Sequence, residues 1–291
     1  MLSFSVGDPT PTIGCTAIDD VDGEITCDWS GVINTDEIGE YIIIYTAEDA
    51  SYNVTTLEVK YVVLRDASIL DVTLDAYYAD AEGLWGNDLI AVLRDIINTD
   101  VTMQTYEDAK TILQESDEDP DNPDNLILVY LGTSIESMWV LGGTTWNREH
   151  VWPQSLLDVD TQPSSRHVGA DLHNLKPANP SENSSRGNKY FDDVATTEAY
   201  VPRDEVKGDI ARILFYMTIM YDYLELINGT PITYQMAMLD TLISWHELDV
   251  VDAFEQNRND VIYTYQNNRN PFIDYPHLLE LIYFNHVHYK S

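Results

Sequence analysis

Basic residues are scarce in this chain: fifteen Lys and Arg stand against fifty Asp and Glu, a formal charge of −35. That balance argues against a protein that coats itself on nucleic acid or anionic lipid through overall charge, although a local basic site stays open. Long apolar runs are also missing. The most apolar stretch, 210–223, is shorter than the roughly 18 residues of a membrane span and carries Arg212 and Asp222. Only two cysteines occur, Cys15 and Cys27. They lie outside any CxxC spacing, which argues against zinc and predicts a single short-loop disulfide. No HExxH is present, since REHVW supplies one histidine where a zinc protease needs two, four residues apart. The opening MLSFSVGDPT lacks a positive segment followed by an apolar one, so it does not read as a signal peptide. The expectation is an exported chain whose signal has been trimmed. No internal repeat is visible.

What is present suffices for one or two domains with sizeable cores: 291 residues, 44% of them hydrophobic. Residues 1–66 read as all-β. Tyr41, Ile43 and Tyr45 alternate with residues of the opposite face, and Leu57, Val59, Tyr61 and Val63 do so again. Turn signals separate the runs at Asp22-Gly23, Gly39 and 49–53, the spacing of short strands in a sandwich. The acidic turn 19–24 suits a β-turn better than a calcium loop. From Leu89 the period changes, with Leu89, Ile90, Leu93, Ile96 and Ile97 on one helical face after Asn87 as N-cap. Further helices are predicted at 204–227, 234–246 and 249–266, the first with Asp204 and Glu205 in its opening turn. The segment 116–125, SDEDPDNPDN, reads as a solvated loop without the calcium-loop pattern.

Charge is unevenly placed. Between Arg148 and Arg212 there are eight basic and eleven acidic residues, a net of −3 that leaves −32 for the rest of the chain. An anionic ligand meets the least opposition in that window. The same window holds the chemically informative residues. Glu149-His150 closes an apolar run, an extended piece follows at 172–177, and Pro180-Ser181 offers a helix start that puts Asn183 in the first turns. A carboxylate, an imidazole and an amide oxygen arranged in this way can hold a hard cation and activate a water. Trp146 and Trp152, flanking the pair, are expected in the core. His173-Asn174 is expected as a supporting polar pair beneath the site.

WNREHVWPQS at 146–155, followed by DLHNLKPANPSENSSRGNKY at 171–190, resembles the endonuclease I family, nucleases built on a ββα-metal (His-Me) finger. Similar stretches run through 77–97, 208–217 and 245–276, so the resemblance covers about 77–284. The first 66 residues resemble bacterial Ig-like repeats, through DDVDGEIT, GEYIIIYTAEDASYN and VKYVV. The resemblance implies a multidomain chain: an all-β Ig-like sandwich over 1–66, then a mainly α, α+β nuclease domain over 67–291. It implies a secreted, largely sequence-nonspecific endonuclease acting on DNA, with RNA as an alternative substrate, through phosphate contacts, and leaving 5′-phosphate products. His150 matches the general base, and Glu149 and Asn183 match the ligands of one Mg²⁺, with Mn²⁺ or Ca²⁺ as alternatives. Arg186 and Arg166 are candidates for the arginine at the scissile phosphate. Arg269, in NNRNPF, belongs to a similar motif without an assigned role. A monomer is expected. The competing reading is a binding module at the cell surface whose nuclease part has lost activity, which the presence of Glu149, His150 and Asn183 opposes.

Overall fold

The computed structural model describes residues 2–140 and 142–286. The chain divides into two compact units, one reaching to Leu89 and taking in the stretch from Glu280 onward, the other Ile90–Leu279.

In the first unit a long antiparallel pair, Gly39–Glu48 with Val54–Leu64, is flanked by Cys27–Ser30 on one side and by Ser3–Ser5 on the other. The register sets Tyr41 opposite Tyr61, Ile43 opposite Val59 and Tyr45 opposite Leu57. The period-2 pattern has its expected effect: Ile43 is buried while Ile42 and Ile44 stay exposed. Ile33, Ile43 and Val63 form the centre of a small core, with Phe4, Ile13, Tyr41, Tyr45 and Tyr61 against it. Leu57 departs from the pattern, standing 61% exposed near the turn end of the pair. A separate hairpin joins Ala17–Asp19 to Gly23–Ile25, and its turn is held by Asp19 Oδ1, which accepts from the backbone N–H groups of Val21 and Asp22. Residues 8–16, with Pro9 and Pro11, run without strand pairing, since proline cannot donate to a ladder. Cys15 and Cys27 are bonded to each other. The contact boundary lies at Leu89 instead of residue 66 because the intervening segment is tied to the sheet. The Ala67 N–H donates to Ser5 Oγ at 3.0 Å, and Trp85 Nε1 donates to Glu40 Oε2 at 3.0 Å.

The second unit is mainly helical, with short two- and three-stranded ribbons. Its central helix, Lys207–Met220, is buried on nearly every face, as its run of Ile, Ala, Leu, Phe and Met requires. This helix stops at Met220, well before the predicted 227. Tyr221 turns its hydroxyl to Asp171 Oδ2 at 2.9 Å, and Glu225–Ile227 pairs in parallel with Gln235–Ala237. The next helix therefore begins at Leu239, not at 234. The last long helix, Ala253–Gln266, is capped by Asp252, whose carboxylate accepts from the Glu255 N–H.

The acidic segment 116–125 is the largest departure from expectation. It is not a solvated loop: the helix Ala109–Ser116 runs into it, and Asn122–Ile127 forms a strand. Asp117 is fully buried between Lys176 Nζ, at 2.7 Å, and the Arg258 guanidinium, at 3.3 Å. Two cations thus hold its carboxyl below the ordinary range, against the opposing effect of burial.

The functional window sits on a ribbon in which Asn147–His150 pairs antiparallel with Leu175–Ala178. The helix Pro180–Arg186 follows directly. It starts where the sequence signals, with Pro180 in the first turn and Asn179 Oδ1 accepting from the N–H groups of Ser181 and Glu182. Trp146, Leu172 and Leu175 anchor the ribbon in a core with Leu113, Leu126 and Ile262, and Trp152 is buried as well.

Candidate active site

Glu149, His150 and Asn183 line one open cavity of about 310 Å³, together with Arg148, Pro153, Gln154, Ser155, Gly187 and Asn188. Residues 34 positions apart in sequence meet there because the ribbon returns the chain beside Glu149 and the capped helix projects Asn183 back over the same strand.

His150 is 8% exposed, and its ring lies nearly parallel to that of Tyr106 at 5.5 Å. Its Nε2 is 2.8 Å from the carbonyl oxygen of Gly169. A carbonyl only accepts, so Nε2 carries the proton, and in the neutral imidazole Nδ1 is left as the acceptor. Burial pushes this imidazole down to about 4, opposed by the Gly169 carbonyl and reinforced by Arg148 and Arg186. The ring is therefore neutral near pH 7. Gly169 sits in a tight turn where an added Cβ would collide with Thr161 Oγ1 and crowd His167 and Val159.

Glu149 is 2% exposed. Its Oε1 accepts from Tyr130 Oη at 2.5 Å and from Arg186 Nη1 at 2.7 Å. Burial raises its carboxyl, while the Arg186 guanidinium and the Tyr130 hydroxyl oppose the rise. Both of these side-chain bonds fall on Oε1, so Oε2 has no side-chain partner among the described residues. Asn183 Nδ2 donates to Asn147 Oδ1 at 2.8 Å and to the Arg148 carbonyl at 3.4 Å. With its amide hydrogens committed, Asn183 Oδ1 is the atom free to face a cation. One carboxylate oxygen and one amide oxygen suit a hard divalent ion that keeps most of its water. Among the described residues, no three His, Cys, Asp or Glu side chains are grouped so as to hold a metal ion.

Neither of the two arginines expected near phosphate lines the cavity. Arg186 is 1% exposed, and besides Glu149 its guanidinium donates to the carbonyls of His150 and Val151 at 2.8 and 2.6 Å. Its face packs on Phe191 at 4.5 Å. These bonds draw it beneath Glu149, where it orients the carboxylate. Arg166 is exposed, donates to the Met103 carbonyl, and does not line the cavity. Arg269 is paired with Asp260 and Asp274. The arginine that does line the cavity is Arg148, whose guanidinium lies 3.4 Å from the centre of the Tyr106 ring.

His173 and Asn174 are buried beneath the ribbon as expected. Asn174 Oδ1 accepts from the Trp152 N–H at 2.7 Å, and His173 Nε2 bonds the Asn268 carbonyl at 3.3 Å. Sequence reasoning missed Tyr130, Arg148, Gln154, Ser155 and Asn188. Arg148 and Asn188 stand inside the motif segments and were within reach of it. Tyr130 carries no local signal.

The sequence pattern of the Endonuclease I family matches residues 86–200 and 196–277, a range that contains the ribbon, the helix and the cavity. An extracellular ribonuclease of Bacillus subtilis (strain 168) is 42% identical over 224 residues, covering 69% of this chain and 76% of that protein. An extracellular ribonuclease of Bacillus amyloliquefaciens is 40% identical over the same length and shares. This chain belongs to the endonuclease I family and is a nuclease of that family.

Proposed function

We propose that the protein is an exported, divalent-metal-dependent endonuclease that hydrolyses phosphodiester bonds in RNA and DNA without marked sequence preference. The observation that carries this reading is the His150–Gly169 bond, which protonates Nε2 and leaves Nδ1 as a base in the cavity shared with Glu149 and Asn183. The strand–strand–helix order of 147–150, 175–178 and 180–186 accords with a ββα-metal finger. RNA enters the reading because both relatives are named ribonucleases, and export because both are named extracellular.

In this mechanism His150 Nδ1 takes a proton from a water as that water attacks phosphorus opposite the departing 3′ oxygen. Gly169 holds the ring through Nε2 and stabilises the imidazolium that forms. Glu149 Oε2 and Asn183 Oδ1 would hold Mg²⁺ or Mn²⁺, which when bound neutralises charge on the phosphate and the leaving oxygen. Tyr130 and Arg186 keep the Glu149 carboxylate in one orientation. The products carry a 5′-phosphate.

The test is cleavage of supercoiled plasmid and of a structured RNA, each with EDTA and with Mg²⁺, Mn²⁺ or Ca²⁺ restored. Metal-restored cleavage with ligatable 5′-phosphate ends is expected. Cleavage that persists in EDTA, or 5′-hydroxyl ends, would overturn the mechanism.

A further inference from the structure

A second cavity, of about 230 Å³, lies beside the first and shares Asn188 with it. Leu156, Lys189, Tyr190, Glu198 and Thr230 are among its lining residues. The segment between the two cavities is anchored to the helix that carries Asn183 and Arg186. The Gly187 N–H donates to the Asn183 carbonyl and the Lys189 N–H to the Arg186 carbonyl, at 2.9 and 3.2 Å. Gly187 has a φ of +58°, the turn by which the chain leaves that helix. Tyr190 is fixed in turn by its N–H bond to the Glu198 carbonyl at 3.0 Å.

Lys189 is half-buried at this cavity. Every other lysine and arginine of the second unit among the described residues has a carboxylate, a carbonyl or an aromatic face for its charge. The Lys189 ammonium has no such partner among the described residues. In a chain with fifty carboxylates, an unpaired cation beside the hydrolytic cavity is an available electrostatic contact for an anionic strand.

We propose that this second cavity is a nucleotide subsite, in which Lys189 contacts a phosphate neighbouring the one hydrolysed and Tyr190 lies against the attached nucleoside. Asn188 is the bridge along which the strand passes. Base–aromatic stacking tolerates any base, and the negative charge of Glu198, which also lines the cavity, disfavours a second phosphate there. The inference rests on the first cavity being the hydrolytic centre.

Binding is measured in the His150→Ala background with Mg²⁺ present, by fluorescence anisotropy of a labelled single-stranded RNA decamer and of a labelled dinucleoside monophosphate too short to leave the first cavity. Adding Lys189→Met is expected to weaken the decamer about tenfold and to lower the salt slope by about 0.7, the share of one phosphate on a single strand. Lys189→Arg should stay within about threefold of the parent. Tyr190→Ala should weaken the decamer by about tenfold, the scale of one lost stacking contact. The dinucleoside should respond to neither Lys189→Met nor Tyr190→Ala. An unchanged decamer affinity and slope in Lys189→Met, or equal weakening of both probes, would overturn the subsite. Absence of cleavage by the unsubstituted protein would instead remove the hydrolytic reading, a result distinct from Lys189-independent binding by a protein that cleaves.

Discussion

His150 and Gly169 are joined through Nε2 and a backbone carbonyl at 2.8 Å, a bond that ties the strand Asn147–His150 to the turn 168–170 and decides which imidazole nitrogen is left for a proton. His150→Ala should lower the rate of RNA and plasmid cleavage by roughly 10² to 10⁴, the usual worth of a general base, while oligonucleotide binding persists. Near-complete activity in this variant at neutral pH would show that the base lies elsewhere.

Gly169→Ala tests the same bond from its other end. The new Cβ collides with Thr161 Oγ1, so the turn must shift and carry its carbonyl away from the imidazole. Misplacement of a catalytic group by about 1 Å costs up to about 10²-fold. Steady-state kinetics should show kcat falling by about 10- to 100-fold with KM within about threefold, and an unchanged kcat would release Gly169 from this role.

The proposed ligands should separate from the proposed base by their response to metal. Glu149→Ala and Asn183→Ala are expected to recover part of their activity at raised Mg²⁺ or Mn²⁺, because mass action offsets weakened coordination; His150→Ala should not. Tyr130→Phe removes one bond to Glu149 Oε1, and its apparent metal affinity should fall by about 10- to 100-fold, the range for groups that orient a ligand. A metal titration identical to that of the unsubstituted protein would count against the positioning role.

Asp117 supplies a prediction about stability. Asp117→Ala leaves Lys176 and Arg258 buried together without their shared carboxylate, at a cost of about 3–5 kcal/mol. Urea unfolding should show this as a lower midpoint. A loss below about 1 kcal/mol would mean that water reaches the pair.

His246 should make the fold sensitive to acid. Its Nε2 bonds the Pro276 carbonyl at 3.1 Å, its Nδ1 is buried without a partner, and Phe215 and Arg212 face it from the central helix. Arg212 itself is paired with Glu255. Burial pushes the imidazole down to about 4, helped by Arg212 and opposed by Pro276. The unfolded ring titrates near 6.5, so between the two values the unfolded chain binds a proton that the folded chain does not. Stability is therefore complete above about pH 6.5 and falls toward pH 4, by up to about 3 kcal/mol from this group. His246→Gln removes the titration, and the stability gap between the two proteins should narrow as the pH drops from 7 to 5. A gap independent of pH would show that the ring protonates freely when folded.

Local chemistry was legible in the sequence wherever neighbours along the chain decide the outcome. Pro180 starts its helix because a pre-set φ acts within one turn. Ile43 faces inward because a strand alternates. The motif placed Glu149, His150 and Asn183 in one cavity because ribbon and helix are consecutive. Contacts between distant segments decided the rest. Asp117 reads as one more acid in a solvated run, and only Arg258, 141 positions away, and Lys176 make it a buried hub. Arg186 reads as a phosphate ligand until Glu149 and two carbonyls claim its donors. The central helix ends at Met220 because Asp171 draws Tyr221 out of it. In each of these cases burial, not spacing, sets the energy of the charge or hydroxyl, and burial exists only once remote parts of the chain have packed together.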